Sequence, residues 1–186
     1  MSGTVASERL VELIRARDPV AAARALAPDP DRPVTYTRAP APAGWLVDGD
    51  EEGPIAAHRA AHAAGRPSEA AVAYGAGVPP EATAERLLAL AALSAETGLR
   101  RAVCPVPAEG TPARPGSWGV EDLTVLAAAR LALPGVPWIR PHWRRLGPAA
   151  CQVAVAFGAT DWSIPPDDPS DPEHLAAAVG RSAVAR

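Results

Sequence analysis

Five side chains able to do chemistry crowd into the run IRPHWRR: Arg140, His142, Trp143, Arg144 and Arg145. Guanidinium groups grip carboxylates and phosphates by paired hydrogen bonds, an imidazole exchanges a proton near neutrality, and an indole stacks on flat ligands. Arg140, His142 and Trp143 therefore read as ligand-binding candidates for an anionic or aromatic molecule; the competing reading is a solvated basic turn that balances acidic loops. Tyr74 and Asp161 end other strands and are expected to face the same mouth, although Tyr74 suits equally a core plug. His58 and His62 share a helical face in HRAAHAAG, but Arg59 stands where H-E-x-x-H needs a glutamate, so packing is the better reading and no metal site is assigned. Cys104 and Cys151 lie in the apolar runs AVCPV and AACQVAVAF, where a free thiol behaves as a small hydrophobe. No Ser-His-Asp ordering or phosphate-cradling glycine loop is visible, YGAG is too little for a dinucleotide fingerprint, and no catalytic residue is assigned.

The elements that must position these groups are regular from residue 54 onward. Pro54 starts a helix ending at Gly65, and Ala70–Tyr74 is an apolar strand. Pro79-Pro80-Glu81 opens a long helix with Leu87, Leu90, Ala91 and Ser94 on one face, closed by Gly98, and strand Ala102–Cys104 follows. Beyond a Pro- and Gly-rich loop come helix Glu121–Leu133, strand Val136–Ile139, a helix from Pro148 with Leu146, Ala150, Val153 and Phe157 on one side, and a strand near Ala159–Trp162. The stretch Trp118–Trp162 is the clearest helix-strand alternation. Before residue 54 the pattern predicts short helices over Ser7–Arg17 and up to Leu26, a break at Pro28-Asp29-Pro30-Asp31, strands at Val34–Thr37 and Trp45–Val47, and a mobile acidic loop from Asp48 to Gly53. A terminal helix begins at Glu173.

At least four βα units imply right-handed crossovers and an α/β fold with parallel strands and outer helices, an open sheet or a partial (βα) barrel. A complete eight-stranded barrel takes about 200 residues or more, so 186 is short for one. One domain over 1–186 is expected: an irregular segment 1–53, a βα core 54–164, and a tail with a helix 165–186. The net charge of −3 argues against a nucleic-acid binder. No apolar run reaches the ~20 residues of a membrane helix, and the start lacks a signal core, so a cytoplasmic location is expected.

At Tyr74-Gly75, Glu85-Arg86-Leu87, Glu96-Thr97-Gly98, Glu121-Asp122-Leu123, Ala129-Arg130-Leu131, Trp143 and Phe157-Gly158-Ala159, wording and spacing resemble one enzyme group. It is the radical S-adenosylmethionine enzymes of futalosine-dependent menaquinone biosynthesis, such as aminofutalosine synthase and dehypoxanthine futalosine cyclase, with the FO synthase subunits close behind. The resemblance runs from about His58 to Asp161, includes HRAAHAAG, and extends to PDPDRPVTYTRAP near the start. It implies a partial barrel of the radical S-adenosylmethionine type. Where the group carries its C-x-x-x-C-x-x-C cluster loop, this chain reads APAGWLVDGDEEGP, and its two cysteines lie elsewhere. The resemblance thus implies an internally shortened relative with no iron–sulfur cluster and no secure S-adenosylmethionine site. Arg140-Pro141-His142-Trp143, Thr160-Asp161 and Ser163-Ile164-Pro165 also depart from the group's usual wording.

These readings lead to a binding or accessory protein without radical chemistry as the expected function. The alternative is a small cluster-independent enzyme working through His142, Arg140 or Asp161 on a futalosine-type or other anionic or aromatic metabolite. Expected partners are a second copy of the chain, as a homodimer, or a full-length radical S-adenosylmethionine relative, because a partial barrel leaves sheet edges to cover.

Overall fold

A computed structural model describes residues 3–26, 29, 31–98, 100–110, 112, 116–117 and 119–186. Pro28 and Pro30 of the predicted break, Trp118, and positions 111 and 113–115 of the Pro- and Gly-rich loop lie outside the described residues.

Helices α1 (Gly3–Ala16) and α2 (Pro19–Arg24) open the chain; Asp18 caps α2 by accepting from the Ala21 amide at 2.9 Å, and Pro19 supplies a first turn that needs no donor. Strands β1 (Val34–Thr37) and β2 (Leu46–Val47) follow, then α3 (Ile55–Ala63), β3 (Ser68–Tyr74), α4 (Pro80–Thr97), β4 (Arg100–Pro107), α5 (Val120–Ala132) and β5 (Trp138–Ile139). Helix α6 (Trp143–Val153) runs into a 3₁₀ turn over Ala154–Phe157, and β6 (Asp161–Ser163), α7 (Pro172–Ala177) and β7 (Ala183–Ala185) complete the chain.

Every strand pairing is parallel, in the orders β2-β3-β4-β5 and β6-β1-β7. One further bond, Thr160 N to Ile139 O at 2.9 Å, ties the approach to β6 onto β5. The predicted parallel α/β arrangement of alternating strands and helices is therefore the observed one. The order also shows what sequence reading did not: β7, unpredicted, pairs with β1, so segments from the two ends of the chain share one sheet.

Alternation along the strands sorts the side chains. On one face Ala70, Val72 and Tyr74 of β3, Val103 of β4 and Ile139 of β5 bury against Leu10 and Ile14 of α1, Leu87 and Leu90 of α4, and Val125 and Leu126 of α5. Each of these larger side chains contributes ~1.5–3 kcal/mol over an exposed position. A second cluster joins Val34, Trp162 and Ile164 to Trp143 and Cys151 of α6 and Ala176 of α7. The opposite face of the strands carries Thr35, Glu69, Arg140 and Asp161, whose side chains bond to one another.

Helix α6 departs from expectation. Gly147 adopts φ 78° and ψ 165°, so one turn from Trp143 is followed by a kink and a second segment from Pro148. The predicted face is corrected accordingly: Val153 is exposed, and Cys151, Ala154 and Val155 are the buried positions. Gly158 has a stricter role. Its φ is +93°, and a Cβ there would lie 2.7 Å from Arg130 Cβ, so only glycine fits this close crossing.

Candidate functional site

A ladder of charges is built on the strand face away from the helices. Arg140, immediately after β5, spreads its guanidinium across β4 and donates from Nη1 and Nη2 to both Glu69 oxygens, at 2.8 and 3.0 Å. Its Nε donates to Asp161 Oδ2 at 2.7 Å. Asp161, wholly buried, also accepts from Arg186 Nε and Nη2 at 2.8 and 3.0 Å and from Thr35 Oγ1 at 2.6 Å. Two guanidiniums face two carboxylates, so the network is neutral and its fork geometry satisfied. Burial works against the Arg140 charge, but Asp161 and Glu69 outweigh it and hold the group above its ordinary range. Beneath lies an aromatic support: the Arg186 guanidinium sits 4.3 Å from the Trp138 ring centre, and Trp138 stacks on Trp45 with centres 6.1 Å apart.

This network floors a cleft of about 420 Å³ at the carboxyl ends of the strands. Thr37, Cys104, Arg140 and His142 reach its wall, with Ile164 and Pro165 among its apolar groups. His142 Nε2 meets Asp50 Oδ1 at 2.8 Å, and its Nδ1 is buried without a partner. The bond from His142 is the largest influence on Asp50, whose carboxyl is held below its usual range. Burial pushes the Cys104 thiol up to about 12, which keeps it in the protonated, weakly nucleophilic form near neutrality.

The structure disperses the basic run. Arg140 is spent on Glu69 and Asp161; Arg144 is exposed and pairs with Asp167 at 3.4 Å; Arg145 donates to the Pro107 carbonyl at 2.9 Å. Trp143 is buried edge-on against Trp162, and its Nε1 donates to Asp168 Oδ2 at 2.8 Å. The expectation that Tyr74 and Asp161 face one mouth is corrected. Tyr74 lies on the helix side of β3 and donates to Asp122 Oδ1 at 2.6 Å, because its position has the parity of Val72 and not of Glu69. Arg140, His142 and Trp143 line the cleft, Asp161 sits under it, and Tyr74 does neither.

The acidic loop, expected to be mobile, makes several hydrogen bonds to its surroundings. Asp48, with a nearly buried carboxylate, accepts from Ala71 N and Arg86 Nη2, each at 3.0 Å, and meets His58 Nε2 at 2.9 Å. Burial raises the Asp48 pKa, yet bonds from His58 and backbone amides outweigh it, so the carboxyl is held low. Glu52 Oε1 accepts from Ala73 N at 2.6 Å, and Asp50 crosses to His142. His62 instead lies between Ser68 Oγ and Thr97 Oγ1, both at 2.6 Å, so the two histidines of α3 serve separate contacts.

Sequence reasoning missed Glu69, Arg186, Asp48 and Asp50 as partners. For Glu69 a signal existed: a carboxylate inside an otherwise apolar strand, opposite in parity to Val72 and Tyr74, needs a buried cation.

No family model matches the chain. It is 32% identical over 118 residues to aminodeoxyfutalosine synthase of Thermus thermophilus, covering 59% of this chain and 32% of that protein. It is 34% identical over 115 residues to 5-amino-6-(D-ribitylamino)uracil--L-tyrosine 4-hydroxyphenyl transferase 1 of Methanosarcina barkeri, covering 54% of this chain and 30% of that protein. The matched stretch thus spans about a third of either curated relative. With the parallel α/β architecture, the two matches support a distant relationship to the radical S-adenosylmethionine superfamily.

The words that carry the resemblance meet in space and are structural: Tyr74 bonds Asp122, Thr97 bonds His62, and Arg130 Nε donates to the Gly158 carbonyl at 3.3 Å. A radical S-adenosylmethionine cluster does not fit the residues present. It needs three thiolates in one loop, whereas Cys104 and Cys151 belong to β4 and α6 and burial raises both thiols. Among the described residues no group of three or more His, Cys, Asp or Glu is placed to hold a metal ion, and no helix is long and apolar enough to cross a membrane.

Proposed function

We propose that this chain is a small-molecule binding or accessory protein, derived from a radical S-adenosylmethionine scaffold of menaquinone biosynthesis and working without radical chemistry. The observation that carries the reading is the cleft itself: an open space of about 420 Å³ over a floor whose charges are already neutralised. A floor of that kind supports a ligand by shape and by a few wall contacts, and it has no free cation to offer a phosphate. The similarity to aminodeoxyfutalosine synthase favours futalosine-type nucleosides as the occupants, and chorismate-derived aromatic acids are the flat anionic compounds to set beside them.

A thermal-shift screen with those compounds and S-adenosylmethionine tests this. At a hundredfold excess over Kd, binding adds ~2.7 kcal/mol, or roughly 5–11 °C for a chain of this length. The reading fails if none of them shifts the transition at millimolar concentration.

Association is part of the same proposal. The sheet orders end at β2 and β7, and each edge carries an exposed valine, Val47 and Val184. Such edges favour a second copy or a full-length relative as cover. Light scattering after size-exclusion chromatography is expected to give twice the monomer mass, and a monodisperse monomer at micromolar concentration would sink the homodimer.

A further inference from the structure

We propose that Asp50 and His142 form a hydrogen-bond-accepting dyad on the cleft wall, with His142 Nδ1 taking a hydrogen bond from a hydroxyl or N–H group on an aromatic-sized ligand. The inference rests on the cleft being a small-molecule site and deepens it by naming the contact.

A carboxylate only accepts, so the 2.8 Å contact to Asp50 puts the imidazole hydrogen on Nε2. In neutral His142 the Nδ1 lone pair is then the free acceptor. That atom is buried and unpartnered, and His142 lines the cleft. An unsatisfied buried polar atom is an exception that calls for a partner. His58 provides the internal comparison: its Nδ1 is unpartnered too and its Nε2 meets Asp48, but it is wholly buried and does not reach the cleft. The same pairing is a structural tie in one case and leaves a buried acceptor at the cleft wall in the other.

The remaining wall chemistry fixes the ligand class. Glu69 and Arg140 bind each other, Arg186 pairs with Asp161, Arg144 with Asp167 at the exposed rim, Cys104 is held as a neutral thiol, and Arg38 gives its guanidinium to the carbonyls of Pro165, Asp168 and Ser170. Pro40, Ile164 and Pro165 supply apolar contact. The match is a flat or compact apolar body presenting one donor to Nδ1.

The test has two readouts on the full chain. Long-range proton–nitrogen correlation spectra of labelled protein at pH 9 are expected to show His142 as the Nε2–H tautomer, with Asp50→Ala releasing that preference. Calorimetric titration then compares adenosine and 3-hydroxybenzoate, both donors, with 3-methoxybenzoate, which lacks the phenolic hydrogen. His142→Ala and Asp50→Ala are expected to weaken the donor probes about tenfold, as is replacing hydroxyl by methoxy. Asp50 sits on an exposed loop, so its variant remains informative even where His142→Ala folds poorly. An Nδ1–H tautomer overturns the dyad. Donor binding that ignores both variants also overturns it while leaving the cleft reading intact. Failure of both donor probes to bind overturns the contact, while the cleft reading stands or falls with the thermal-shift screen.

Discussion

Replacing Arg140 by methionine is the most informative single perturbation, because its consequences can be worked through group by group. The arginine is nearly buried and gives two bonds to Glu69 and one to Asp161. Asp161 keeps Arg186 and Thr35 when Arg140 is gone, so the loss falls on Glu69, both of whose oxygens bond to Arg140. Breaking a buried pair from one side costs ~3–5 kcal/mol, a fall in Tm of roughly 6–20 °C for a chain this long. The charge left on Glu69 gives the effect a signature. Its carboxyl, buried without a cation, must rise above the unfolded value near ~4.3, so the penalty is full above the raised folded pKa and disappears below the unfolded one. Urea unfolding followed by circular dichroism at pH 7 and pH 4.5 should therefore show the defect shrinking in acid. Adding Glu69→Gln to Arg140→Met should recover part of it at pH 7, with a coupling of ~2 kcal/mol or more. Additive effects, or a loss below ~1 kcal/mol unchanged with pH, would refute the buried network.

Four further outcomes are expected. Asp48→Ala frees the 48–53 loop from Ala71, Arg86 and His58, and should speed hydrogen exchange across it while costing ~2–4 kcal/mol in urea titration. Asp48 and Asp50 have folded pKa values below 3.8, so their stabilisation is present above that value and is lost as pH falls through the folded ones; an acid titration of Asp48→Asn should show a shallower loss of stability below pH 4 than wild type. Cys104 and Cys151 should react with a thiol reagent at pH 8 far more slowly in the native protein than in urea, where both titrate. Gly158→Ala forces a Cβ against Arg130 at positive φ and should cost at least ~1–3 kcal/mol, read as a lowered Tm.

The sequence made the helix-facing side legible and hid the other. Ala70, Val72 and Tyr74, or Leu87 and Leu90, announce their burial by period and composition, and the caps at Asp18 and Gly98 mark ends. The cleft floor joins Glu69, Arg140, Asp161 and Arg186, whose pairing depends on strand order, a long-range property that no local pattern encodes. Strand β7 was missed for the same reason: three residues, Ala183–Ala185, carry little signal until β1 is there to pair with them. The basic run was legible, but the directions of its side chains were not, since nothing local tells that Arg140 turns inward while Arg144 stays in water.

The pairing of β7 with β1 bears on how the molecule comes into being. Val34 and Ala183 lie 149 residues apart in the sequence, yet they are register partners, and Arg186 completes the charge balance around Asp161. Contacts of such separation form late, after nearer segments have collapsed. During synthesis the βα core around α4 and α5 can assemble while residues 183–186 are still within the ribosome, with Asp161 short of a cation. The cleft floor therefore matures after the βα core, and a chain released before residue 183 would present an unfinished site on that core.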